Sequence, residues 1–376
     1  MSQETRKPRT LSMFIGSNSS IPGVSNECSF QPATLSLKIG LTIAYVIIFF
    51  IGFFGNAMII FLVNHYPELK TTFNILIVNM AASDILDVIT AIPLSLTYLY
   101  ESVRWFPGGF GVFLCKSLPF LAYTSIGSSI LTLTVMTYDR YHAVVRTMRR
   151  PLAFRLIVTA IVSTWVIPAV VFASELYKYK LYHESGQVIC APRWVDDLLA
   201  SHEITKYEMI IRFVLFYLIP LLVMTVLYSK IVLRMWKRRA PGEHIDKNRQ
   251  RIEMQNRKVI IMLITVVTIF ALCWLPVQAT HFLLTFNLNI CLSTSLTLTL
   301  FVVSHAYPAI NPCLYLIFNE NFRGAFRHQL RKSQRSKRLS VTVSNGTHKS
   351  GSHAVGATEC HRLLALDRYK TRESVV

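Results

Sequence analysis

Apolar residues along this chain come in long uninterrupted runs. From Leu41 to Val63, 23 positions hold no Asp, Glu, Lys or Arg, enough helix to cross a hydrocarbon core that needs roughly 20 residues. Similar runs occupy residues 71–100, broken only by Asp84 and Asp87, then 117–138, 156–174 and 213–229. The segment 259–319 stays free of such residues for 61 positions, with a polar break at Phe286-Asn287-Leu288-Asn289, and so predicts two spans. Seven transmembrane helices are expected, because a backbone in lipid must satisfy its own hydrogen bonds and these runs lack the period-two alternation of barrel strands. The predicted fold class is an all-α membrane protein, a seven-helix bundle over 37–318 preceded by an extracellular segment 1–36. After it, Phe318, Phe322, Phe326 and Leu330 recur at helical spacing among Arg323, Arg327, Arg331 and Lys332, which predicts a basic amphipathic eighth helix over 319–332 on an anionic lipid surface. Residues 333–376 are polar and basic and read as a disordered tail.

Composition sharpens this picture. Only 16% of the 376 residues are charged against 52% hydrophobic, where a soluble domain carries about 25% charged, which speaks against a soluble enzyme. The net charge of +19 would suggest nucleic acid in a soluble chain. Here 28 of the 39 Lys and Arg fall at Lys70, from Arg140 to Arg155, from Lys230 to Lys258, and after Asn319. Basic residues mark cytoplasmic loops, so the charge is a topology signal. It implies an extracellular N-terminus, a multi-pass plasma-membrane protein and no nucleic-acid partner. Residues 1–36 lack an apolar h-region with a cleavage site, so the first span is expected to serve as the targeting signal. Asn18-Ser19-Ser20 is a glycosylation sequon on the outer side, whereas Asn345-Gly346-Thr347 lies inside and should stay bare.

Cys115 opens the third span and Cys190 follows the fourth, both on the oxidising side where disulfides persist, and they are expected to pair. Cys28 and Cys291 lie on the same side, either a second pair or two separate thiols. Asp139-Arg140-Tyr141 sits 25 residues beyond Cys115, about 37 Å along a helix and so at the cytoplasmic edge. Asp84, a carboxylate within an apolar run, is expensive in a membrane and marks a functional site by default, with a hydrogen-bonded neutral carboxyl as the structural alternative. The terminus Ser374-Val375-Val376 matches a ligand for a PDZ protein.

Asp139-Arg140-Tyr141 does not stand alone. Gly55-Asn56, Asp84, Trp165, Pro220 and Tyr228, the run from Phe270 to Pro276 containing Trp274, and Asn311-Pro312-Cys313-Leu314-Tyr315 fall in successive spans. Together they resemble the rhodopsin-like (class A) G-protein-coupled receptors over about residues 35 to 330. The resemblance implies an allosteric sodium ion held by Asp84 with Ser129 and Asn311 beside Trp274, and no other cofactor or metal. Tyr307 and Pro308 stand where the family places Asn and Ser. It also implies coupling to a heterotrimeric G protein through Asp139, Arg140, Tyr141, Tyr228 and Tyr315 as the inner end of the sixth helix swings outward. Pro276 and Pro312 remove backbone hydrogen bonds and allow kinks. Asn256 replaces the acid that in such receptors pairs with the Arg140 position. Ser333, Ser336, Ser340, Thr342 and Ser344 become candidate sites for receptor kinases and arrestin.

The ligand class is narrowed by what is missing. Ala122 stands where amine receptors carry an Asp, and His305 where opsins carry the retinal Lys. Leu227-Tyr228-Ser229-Lys230-Ile231, Trp236-Lys237-Arg238-Arg239 and Asn319-Glu320-Asn321-Phe322-Arg323 look like neuropeptide receptors of the RFamide, neuropeptide FF and orexin group, implying an extracellular peptide ligand. The second outer loop, about Glu175 to Lys206, holds Glu184, Asp196, Asp197, Glu203 and Glu208, which either receive a basic peptide or merely solvate the loop. Thr285 stands near the acid such receptors often carry atop the sixth helix. Arg212, within the fifth span, wants a carboxylate, supplied by Glu208 one turn earlier or by a ligand. The latter keeps an acidic small molecule or lipid as the alternative. By analogy the pocket comprises Tyr98, Tyr123, Glu208, Arg212, Trp274, Gln278, His281, Phe301 and His305, with Asp196 and Asp197 at its mouth. A transporter would need several midplane acids, and only Asp84 and Asp87 qualify. No metal-spaced His cluster or nucleophile and base pair points to an enzyme.

Overall fold

The computed structural model describes residues 33–146, 153–184, 186–237, 247–286 and 292–332. Asn18, Cys28, Cys291, Asn345 and the tail from 333 lie outside them. Seven helices long and apolar enough to cross a membrane run over Leu35–His65, Thr72–Glu101, Gly108–Val145, Phe154–Lys178, Leu199–Trp236, Arg257–Thr285 and Thr294–Phe318, so the chain is a multi-pass membrane protein. Each predicted span is present, and most extend beyond the uncharged run, since charges at a membrane edge sit in water without ending a helix. Thr34, Thr71, Asp197 and Ser293 start four of them, each side-chain oxygen accepting a backbone N–H of the first turn.

The second and third spans run through the centre of the bundle. Asn79, from the second, donates to Thr132 at 2.7 Å and Thr164 at 3.1 Å and accepts from Trp165 Nε1 at 2.8 Å, tying three spans at one buried amide. Asn56 donates to Gly52 O and Pro308 O at 2.8 and 3.0 Å, joining the first span to the seventh. Glycine permits the close approach there: a Cβ on Gly55 would stand 2.7 Å from Pro312 Cγ.

The prolines of the last three spans sit differently in their helices. The sixth span is helical without interruption across Pro276. The seventh breaks at Ala306, between Thr294–His305 and Tyr307–Phe318, ahead of Pro308 rather than at Pro312. In the fifth span a π-helical turn, Val214–Leu218, precedes Pro220. A proline there lacks an N–H, and one widened turn absorbs the lost bond.

The segment expected as one long charged loop is mostly regular structure. The fourth span continues as a helical turn, Ser174–Lys178, followed by an antiparallel hairpin of β1 (Tyr179–Glu184) and β2 (Gln187–Pro192), and the fifth begins at Leu198. Gly186, at φ +76°, supplies the left-handed residue of the tight turn. Cys190 on β2 is disulfide-bonded to Cys115. The hairpin is further held by Trp105 N donating to Val188 O (2.8 Å) and Cys190 N donating to Val103 O (2.9 Å).

Compactness divides the chain after Arg323. In the first unit a helix begins at 320, with Phe322 fully buried and its ring 6.5 Å from Tyr315. Residues 324–332 of the second unit are helical as well, so a helix occupies the range assigned to the eighth.

Candidate functional site

Three groups of polar side chains occupy the bundle at successive depths. At the disulfide-bearing end, Arg212 projects from the fifth span and pairs with both Glu175, on the extension of the fourth, and Glu208. Lys178 pairs with the same two acids, at 2.9 Å each. Ser174 accepts from Arg212 at 2.9 Å and donates to Glu208 at 3.1 Å, and Trp194 Nε1 donates to Glu208 at 3.1 Å. The guanidinium carbon lies 4.8 Å from the Phe172 ring and 5.5 Å from that of Tyr123. Two cations and two carboxylates thus close on themselves, with Glu175 fully buried. Such clusters hold only when every member is matched, since removing one strands its partner. Glu208 meets Arg212 as the sequence indicated, and Glu175 and Lys178 complete the group. They were missed because the apolar run ends at Ser174, and charges beyond it read as loop.

The remaining ligand candidates form a second set at this end. Tyr123 stacks on Phe172 at 5.5 Å, and Phe172 on Phe216 at 5.0 Å. Trp274 meets His305 edge-on at 6.5 Å, His305 Nδ1 lies 3.4 Å from Tyr45 OH, and His281 lies 5.4 Å from Phe301. Gln278 and Tyr98 are half-buried. The loop acids mostly have structural work: Glu184 pairs with Arg193 (2.6 Å), Glu203 with Lys206 (2.6 Å), and Asp197 caps the fifth span. Asp196 is exposed. On β1, burial pushes the Tyr182 phenol up from its ordinary pKa, as do Asp196 and Glu184, against a lowering pull from Arg193.

Midway through the bundle, Asp84 is buried, accepting from Ser129 at 3.2 Å and from Asn311 Nδ2 at 2.7 Å. It borders a cavity of about 10 Å³, room for one water-sized occupant, lined also by Asp87, Ser125, Ile126, Ser129, Phe270, Trp274, Tyr307 and Pro308. Asp87 Oδ1, Tyr307 OH and Asn311 Oδ1 are buried without hydrogen-bond partners. Among the described residues no three His, Cys, Asp or Glu cluster as metal ligands. The donors here are carboxylate, hydroxyl and amide oxygens, which fit a hard cation.

At the far end Arg140 is held by its neighbour. Its Nη2 and Nε donate to Asp139 Oδ2 at 2.6 and 3.0 Å, and its guanidinium lies over Phe73, 4.2 Å from the ring centre. Tyr228 OH accepts from Thr137 at 2.9 Å, and Tyr315 OH contacts Met80 Sδ at 3.1 Å. Tyr141 lies 6.4 Å from Tyr138 and under Arg146. The residues singled out for coupling share this end, each with its own partner.

Seven apolar helices, a disulfide-anchored hairpin across one end, a buried carboxylate midway and Asp-Arg-Tyr at the other end define a seven-helix membrane receptor. The family described as 7 transmembrane receptor (rhodopsin family) matches residues 55–315, and the chain belongs to it. It is similar to the allatostatin-A receptor of Bombyx mori, 33% identical over 74% of this chain and 75% of that one. The QRFP-like peptide receptor of Branchiostoma floridae is 31% identical over 76% of each chain. The pyroglutamylated RF-amide peptide receptor of Rattus norvegicus is 28% identical over 77% of this chain and 69% of its own.

Proposed function

We propose that this chain is a plasma-membrane receptor, N-terminus outside, that binds an extracellular neuropeptide at its disulfide-bearing end and activates a heterotrimeric G protein at its Arg140 end. Kinship with receptors for allatostatin-A and RF-amide peptides carries the reading. The cluster around Arg212 supports it: this cation already has two carboxylates, so an acidic small molecule or lipid gains no unmatched charge there.

The peptide would rest on Tyr98, Tyr123, Gln278, His281, Phe301 and His305, with Asp196 and Asp197 at the entrance. Contact with Trp274 would be passed through Phe270 and Tyr307, whose rings are 5.3 Å apart. Arg140, Tyr228 and Tyr315 would then leave Asp139, Thr137 and Met80 as the inner end of the sixth span swings out. Asp84, with Ser129 and Asn311, would hold a sodium ion in the resting state, its positive charge matching the buried carboxylate. The basic eighth helix would lie on anionic lipid, the tail serines would serve receptor kinases and arrestin, the C-terminus a PDZ protein, and Asn18 would carry a glycan.

Cells expressing the chain with G-protein dissociation sensors, challenged with amidated and free-acid peptides and with acidic lipids, test this. A response to peptides that is weakened by Asp196→Asn or Asp197→Asn supports it. A response confined to carboxylate ligands and lost in Arg212→Ala would overturn it.

A further inference from the structure

The two strands of the hairpin differ in how their outer edges are used. β2 is bonded on both sides: it pairs with β1, and on its other side Trp105 N donates to Val188 O while Cys190 N donates to Val103 O. In an antiparallel ladder each residue aims its N–H and C=O to the same side. Val188 and Cys190 therefore aim away from β1, and their partners in register, His183 and Leu181, aim away from β2. Among the described residues nothing hydrogen-bonds the main chain of Leu181 or His183. Two donors and two acceptors, repeating at about 7 Å along the strand, thus stand open, with His183 exposed. Tyr179, at the start of β1, gives its N–H to Glu175 O and neighbours Tyr98 and Tyr123. The open edge therefore runs on from the side chains on which the peptide is proposed to rest.

We propose that the open edge of β1 is the main-chain docking strand for the peptide: an extended stretch of the ligand adds to it as a further strand and exchanges hydrogen bonds with Leu181 and His183. The inference rests on the reading of the chain as a peptide receptor. An unpaired edge is a template for another extended chain, and a peptide carries donors and acceptors at the same repeat. Main-chain bonds are indifferent to side-chain identity, so this edge supplies affinity and register and leaves sequence recognition to neighbouring side chains. Residues directly opposite in a ladder point to the same face. The peptide residue opposite Tyr182 therefore falls beside the Tyr182 phenol, whose oxygen is buried without a hydrogen-bond partner.

The test measures binding to the full-length receptor of allatostatin-A, a pyroglutamylated RF-amide peptide and the most potent peptide of the sensor screen. His183→Pro removes the outward N–H, and proline is tolerated on an edge where that N–H faces away from the partner strand. His183→Ala removes the same side chain and keeps the N–H. His183→Pro is expected to bind roughly three- to tenfold more weakly than His183→Ala, the range that one main-chain hydrogen bond commonly brings. N-methylation of each amide of the bound peptide in turn should weaken binding to the unaltered receptor at every second position of one stretch, because alternate amides face β1. That scan decides the matter even if His183→Pro fails to reach the cell surface. A scan without alternation, with Asp196→Asn or Asp197→Asn still weakening the response, overturns strand addition and spares the peptide reading. A screen in which no peptide signals overturns both.

Discussion

Lys258, near one end of the sixth span, forms an ion pair with Glu320, at the start of the helix that follows the seventh. Both side chains are about half exposed, at 53% and 50%. The Lys258 contact is thus an electrostatic tie of this end of the sixth span to a neighbouring element. Exposed pairs contribute about 0–1 kcal/mol, and 1 kcal/mol is a factor of about five in an equilibrium. Glu320→Gln should therefore raise ligand-independent signalling by up to about fivefold, and Lys258→Gln by a similar factor. Basal activity that stays flat in both variants at equal surface expression would remove the tie from the resting state.

The cluster around Arg212 is a different case because it is buried. Arg212→Met strands Glu175 and Glu208 against Lys178 alone, and breaking such a pair from one side costs about 3–5 kcal/mol. Surface expression and unfolding temperature should both fall sharply. Removing Glu175 as well, in Arg212→Met/Glu175→Leu, restores charge balance between Lys178 and Glu208. The double variant should be more stable than Arg212→Met, with a coupling of about 0.5–3 kcal/mol in the mutant cycle. Strictly additive losses would mean that the ions are solvated separately.

The two ends of the molecule differ in how far the sequence revealed them. The spans were legible because lipid forces long uncharged runs. Asp84 was legible because a carboxylate is costly in an apolar run, and Arg140 and Trp274 only through the motifs that resemble the family. The hairpin left a fainter trace: Ser185-Gly186 between the aromatic run at Tyr179–Tyr182 and Val188-Ile189 is a two-residue turn signal, masked by the charges around it. Glu175 and Lys178 were invisible as a pair, since only the unbroken helical turn Ser174–Lys178 sets them opposite Arg212. Asp87 read as a midplane acid, but that it borders the Asp84 cavity is a matter of helix rotation, which composition does not record.

The disulfide is the covalent link between that hairpin and the third span. Cys190 is buried beside Tyr179 and Cys115, and losing a native disulfide typically costs about 2–5 kcal/mol. Cys115→Ser/Cys190→Ser should lower peptide affinity more than it lowers surface expression, because the hairpin covers the end where the peptide is proposed to bind while the spans hold the bundle. Equal affinity in radioligand binding, with a lower unfolding temperature, would confine the bond to a stabilising role.

Gly127, on the third span, packs closely against the fourth. A Cβ there would stand 2.8 Å from Pro168 Cβ, 3.0 Å from its Cγ and 3.2 Å from Phe172 Cε2. The proline ring cannot turn aside, so a methyl must push the fourth span away, and overpacking of this kind costs about 1–3 kcal/mol. Phe172 also stacks between Tyr123 and Phe216 and lies beneath the Arg212 guanidinium, which carries the displacement to the aromatic and charged side chains where the peptide is proposed to bind. Gly127→Ala should thus lower both the unfolding temperature and peptide potency. Gly40→Ala on the first span, where a Cβ would meet nothing within 4 Å, should be neutral or stabilise by about 0.5–1 kcal/mol, as replacing a helical glycine does. If Gly127→Ala behaves like Gly40→Ala in thermal unfolding and in dose–response curves, the third and fourth spans are not in close contact at Gly127 and Pro168.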